Sequence, residues 1–145
     1  MFQTDAPSEV ENYCNLNDIG FEWLGGGRLR TTQIRPAVLI HPLTGAKTWF
    51  NHGAFFNIES LVPDVRTALI NEFSIDELPY NTYFGDGGII DKETIDHLNR
   101  AYQLETVRFN WKRGDLLILD NCQVAHGRES FTGEREVLVA MTHTF

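Results

Sequence analysis

The chain has 145 residues, 42% of them apolar and 22% charged, with a formal net charge of −8 and an isoelectric point near 5.0. A single domain of this length buries roughly 68–70% of the surface its unfolded form exposes, and the apolar fraction is that of a folded protein rather than a disordered one. The acidic balance, with Lys and Arg scattered, argues against nucleic acid or an anionic membrane surface as partner, and no apolar run approaches the roughly 20 residues of a membrane span.

Cys14 and Cys122 lie far apart and outside any C-x-x-C spacing, which points to reduced thiols in a cytoplasmic protein rather than a disulfide framework. The first residues, "MFQTDAPSEV", are acidic and polar and unlike a secretory signal.

In chain order, "DAPSEVENYCNLND" (5–18) predicts a helix entered through Asp5 or Ser8, with acids in its first turn. The run Gly25-Gly26-Gly27 in "GFEWLGGGRLRTTQ" reads as a hairpin turn, since no Lys-Ser/Thr pair follows it to cradle phosphate. "RPAVLIHPLTGAKTWFN" predicts a second hairpin, two runs of strand formers divided by "HPLTGAK". Residues 59–72 carry apolar side chains at helical intervals, with Pro63 near the first turn. Ser74 and Glu77 form a capping-box pattern before a short turn that Pro79 stops. A further helix over 91–104 starts at Asp91 and places Ile95, Leu98 and Tyr102 on one side.

After residue 105, "TVRFNW", "LLILDN" and "REVLVAMTHTF" read as three strands joined by tight turns. With no repeat or interdomain linker, residues 1–145 are expected to form one α+β domain built on a mostly antiparallel sheet with flanking helices.

Two residues in that last stretch suggest chemistry. His126 and Arg135 fall at neighbouring strand ends and can face one cavity. A neutral imidazole is a good ligand for Fe(II), and a guanidinium grips a carboxylate through two parallel hydrogen bonds. Alone the pair has little specificity, because single His and Arg residues most often serve structure or solvation.

The surrounding motifs are more specific. "LRTTQIRPAV", "HPLTG", "WFN", "YFGDGGII", "WKRGDLLILDN" and "AHGRESFTGER" run in register from about residue 10 onward. Together they resemble the taurine dioxygenase and clavaminate synthase-like family of Fe(II)- and 2-oxoglutarate-dependent oxygenases, most closely its branch of syringomycin-type amino-acid hydroxylases. The resemblance implies a double-stranded β-helix, or jelly roll, here a partial one. It implies that His126 is the distal histidine of a 2-His-1-carboxylate triad and that Arg135 binds the distal carboxylate of 2-oxoglutarate. Arg128 is implied as a support for the loop or the co-substrate, and Asn51 and Asn121 as hydrogen-bonding partners of loop backbone.

The chain departs from the family pattern at one point. The family's first metal histidine and its carboxylate form an H-x-D or H-x-E motif upstream of the "RPAV…HP" hairpin, yet no histidine precedes Arg35. The expectation is therefore a truncated oxygenase domain that lacks the N-terminal metal-ligand region. His52 stands as a candidate second ligand, against a surface or loop histidine. Asp120 reads as orienting backbone, His41 as structural and Asp86 as a turn residue, while His97 and His143 have no evident partner.

Two function classes follow: a hydroxylase-type oxidoreductase completed from elsewhere, or a non-catalytic small-molecule-binding or scaffold remnant of the same fold. Either is expected to form homo-oligomers through the open seams "RPAVLIH" and "REVLVAMTHTF", and to take a small dicarboxylate or amino acid as ligand.

Overall fold

A computed structural model describes residues 2–134 and 136–141. The chain divides into two compact units, Met1–Arg35 and Pro36–Phe145, each with mixed helical and antiparallel strand content.

The first unit opens with helix α1, Pro7–Leu16. Its N-cap is Ala6, not Asp5 or Ser8, and no side chain caps it. The correction has a simple cause: Pro7 occupies the first helical position, where its fixed φ suits the helix and its missing N–H is no loss. Val10 and Cys14 form the buried stripe of α1. Strands β1 (Gly20–Leu24) and β2 (Arg28–Thr32) pair antiparallel, with Glu22 opposite Arg30 and their side chains 3.1 Å apart. Gly26 and Gly27, both at φ 74°, turn the chain through a left-handed conformation that favours glycine. The helix is tied to this hairpin by Trp23, whose indole N–H donates to Glu11 Oε1 at 2.8 Å.

The second unit begins with strands β3 (Val38–Ile40) and β4 (Lys47–Trp49), paired antiparallel with Leu39 opposite Thr48. Its helices are α2, Pro63–Glu72, and α3, Lys92–Glu105. Helix α2 starts later than expected, because residues 58–60 form a separate 3₁₀ turn before Pro63 sets the first helical position. Helix α3 follows its sequence signals closely: Asp91 is the N-cap and its carboxylate accepts the N–H of Thr94 at 2.8 Å. Ile95 is fully buried against Ala54 and Ile90, and Leu98 and Tyr102 pack on the same side. Ser74 precedes a 3₁₀ turn over Ile75–Glu77, but its hydroxyl bonds the Glu77 carboxylate at 3.0 Å and makes no side-chain cap.

The segment joining α2 to α3 is held by Asn57, which is 2% exposed. Its amide donates to the carbonyl and hydroxyl oxygens of Thr82, at 3.1 and 2.9 Å, while its Oδ1 accepts the N–H of Glu59 at 2.9 Å. Asp86 shapes the next turn by accepting the N–H of Gly88, and Tyr83 bridges Ile89 across it.

The three strands expected after residue 105 are not formed among the described residues. Ladders there stop at the two hairpins and the Tyr83–Ile89 bridge, so a jelly-roll sheet is not assembled among the described residues. The alternation itself is present: Leu116 and Ile118 are 85% and 83% exposed, whereas Leu117 and Leu119 are about half as open. Strand pattern without a neighbouring ladder gives no inter-strand hydrogen bonds and buries little, so these segments form no sheet among the described residues. Arg135 and residues 142–145 of the third expected strand lie outside the described residues.

Candidate functional site

The site is built on the stretch from Asp120 to Glu129. Asp120 organises its start. The carboxylate Oδ1 accepts the N–H of Cys122 at 2.9 Å, and the Asp120 carbonyl accepts the N–H groups of Gln123 and Val124 at 3.0 and 3.1 Å. The Gln123 amide donates to Asp120 Oδ2 at 3.0 Å. A tight turn results, with Cys122 buried inside it. His126 emerges just beyond the turn, exposed, with no hydrogen bond to another described residue. Arg128 and Asn121 are exposed as well. Arg135 and His143 fall outside the described residues.

The second contribution comes from the β3–β4 hairpin. His41, 4% exposed, sits at the end of β3. Its Nδ1 accepts the backbone N–H groups of Leu43 and Thr44, at 3.2 and 3.1 Å. That arrangement assigns the proton to Nε2, which donates to Asp120 Oδ2 at 2.8 Å. Asp120 is held below the usual carboxylate range, first by this His41 hydrogen bond, then by Gln123 and the Cys122 N–H.

Asn51 follows β4. Its amide donates to the Ala37 carbonyl at 2.9 Å and its Oδ1 accepts the N–H of Gly53 at 2.8 Å. A Cβ on Gly53 would lie 2.9 Å from that Oδ1, so a larger residue there would push the Asn51 side chain aside. His52 is exposed and packs in an aromatic group, its ring centroid 5.8 Å from Phe56 and 6.5 Å from Phe55.

No group of three or more His, Cys, Asp and Glu side chains able to hold a metal forms among the described residues. The His41–Asp120 pair has its nitrogens and its Oδ2 already engaged in hydrogen bonds. The described residues therefore offer His126 as a ligand but do not fit Fe(II), which needs a set of three protein donors. A cleft of about 120 Å³ beside α2, lined by Ile70, Phe73 and Leu78 with Arg66 and Glu59, is well below the roughly 300–1,000 Å³ usual for small-molecule sites.

In the sequence His41 reads as structural only, and its pairing with Asp120 is not marked. No local pattern joins them, since they are 79 positions apart. A weak signal existed: a histidine closing the apolar run "AVLI", where a buried imidazole needs partners for both nitrogens.

This chain carries its motifs in order through the two hairpins and the His126 turn. It belongs to the taurine catabolism dioxygenase TauD, TfdA family, whose model matches residues 3–142. The chain is 44% identical over 140 residues to the dapdiamide synthesis protein DdaC of Enterobacter agglomerans, covering 97% of this chain and 43% of that protein. It is 30% identical over 129 residues to the clavaminate synthase-like protein At3g21360 of Arabidopsis thaliana, covering 86% of this chain and 35% of that one. The chain thus spans less than half the length of these two relatives. No solved structure matches it significantly. No helix among the described residues is long and apolar enough to cross a membrane.

Proposed function

We propose that this chain is part of a hydroxylase-type oxidoreductase that uses Fe(II) and 2-oxoglutarate, and that it supplies one metal-binding imidazole and the co-substrate's carboxylate anchor. The family match across residues 3–142 carries the reading. Under it His126 is the imidazole, Arg135 grips the distal carboxylate, Arg128 supports that region, and Asn51 and Asn121 brace the loops. The remaining metal ligands come from polypeptide outside these 145 residues, which also completes a jelly-roll sheet with the apolar segments after residue 105. An in-frame H-x-D or H-x-E coding sequence just upstream of Met1 supports this arrangement. A start signal with no such motif speaks against it.

The anchor is tested by calorimetry with 2-oxoglutarate and no metal. Losing a charge-assisted pair of hydrogen bonds costs about 1.5–3 kcal/mol, so Arg135→Ala should remove weak binding altogether. Equal heats for the two proteins would refute the assignment.

A second reading is a non-catalytic, oligomeric small-molecule-binding or scaffold protein of the same descent. It predicts dicarboxylate binding through Arg135 that persists while turnover is absent even with the missing family region supplied as a separate polypeptide.

A further inference from the structure

His41 is nearly fully buried, and its ring does two separable things. Nδ1 holds the turn within its own hairpin through Leu43 and Thr44, whereas Nε2 reaches across to Asp120. Asp120 in turn fixes three successive backbone N–H groups, those of Cys122, Gln123 and Val124, through its side chain and its carbonyl. Those three residues lead straight to His126. The apolar segments around them lack a sheet ladder among the described residues, so strand pairing does not set the direction in which His126 leaves the turn.

We propose that His41 is a positioning residue for His126, acting through the Nε2–H···Asp120 hydrogen bond on the 120–124 turn. The proposal rests on the reading of His126 as the imidazole that the site uses. An orienting carboxylate held by a histidine such as His41 is a stiff support, because both ring nitrogens are committed and the ring cannot flip without losing all three partners. The buried end of this bond is the His41 ring, and the Asp120 side chain is the half-exposed end.

Two substitutions separate the two jobs of the ring. His41→Asn keeps an acceptor near the position of Nδ1 for Leu43 and Thr44 but does not reach Asp120. His41→Gln keeps an N–H donor near the position of Nε2. Amide hydrogen exchange and the imidazole resonances of His126 are measured by NMR on the whole chain, with the thermal midpoint as the control for folding. In His41→Asn, exchange at Cys122, Gln123 and Val124 should accelerate tenfold or more, and the His126 resonances should shift, while Thr44 stays protected. His41→Gln should recover the slow exchange and the original His126 shift. Asp120→Asn should reproduce the His41→Asn effect without disturbing Thr44. Unchanged exchange and an unmoved His126 signal in a folded His41→Asn protein overturn the proposal, as does equal disruption by Asn and Gln. Titration with Co(II) alone judges the underlying reading separately. If Co(II) broadens His126 in the wild type, that reading stands. If it leaves His126 sharp, the metal reading falls and the exchange data still decide whether His41 sets the turn.

Discussion

Replacing Asn57 with alanine removes three side-chain hydrogen bonds at a position only 2% exposed. One is the bond from Glu59 N–H to Oδ1, and two run from the amide to Thr82. A buried hydrogen bond contributes roughly 0.5–1.5 kcal/mol net, and a donor or acceptor left without a partner raises the loss, so the substitution should cost about 2–4 kcal/mol. Against a total stability on the order of 5–15 kcal/mol, that is a sizeable fraction. The assay is urea unfolding followed by tryptophan fluorescence, because Trp49 lies in the same unit and donates to Tyr102 on α3. Asn57→Asp keeps the acceptor for Glu59 but sets a carboxylate against the Thr82 carbonyl, and at neutral pH it should destabilise at least as much. A loss under about 0.5 kcal/mol for Asn57→Ala would show that water replaces these bonds, and that the tie between residues 57 and 82 is not a structural hinge of the unit.

Acid should loosen the His126 turn. Asp120 is held below its ordinary value of 3.8 by the His41 hydrogen bond above all, so its contribution is complete above that value and is lost only as pH falls through the lower folded value. Protection of the Cys122 amide should therefore persist at pH 5 and disappear only in stronger acid, a dependence that Asp120→Asn abolishes. Association should also be visible by sedimentation velocity. Val107, Leu116, Ile118, Leu138, Val139 and Met141 are each at least 79% exposed, and such a surface favours pairing with another copy. A clean monomer at high concentration contradicts that expectation.

Local signals made much of the fold legible. Asp91 as a cap, Pro63 inside a first turn, the paired glycines at 26 and 27 and the "HPLTGAK" break each act within a few residues, and each element formed where its signal lay. Helix α1 shows competition between local signals, with Pro7 setting the start ahead of Asp5 and Ser8. "LLILDN" has the composition of a strand, yet pairing depends on a neighbour that the segment does not encode. The family was legible in the motifs, whereas the contacts were not. The Asn57–Thr82 and His41–Asp120 ties span 25 and 79 positions, distances over which neither charge nor periodicity in the sequence marks a partner.

Under the proposed function, this chain carries part of an oxygenase site and takes its other metal ligands from elsewhere. Succinate release from 2-oxoglutarate, with Fe(II), ascorbate and a panel of amino-acid substrates, tests it most directly. The purified 145-residue chain should release no succinate coupled to hydroxylation, because His126 and at most His52 leave iron without the three fixed donors that ordered O2 chemistry requires. Coupled turnover by the chain alone that His126→Ala abolishes would contradict the claim and place the missing ligands within this chain or its oligomer, with His52 the first residue to replace.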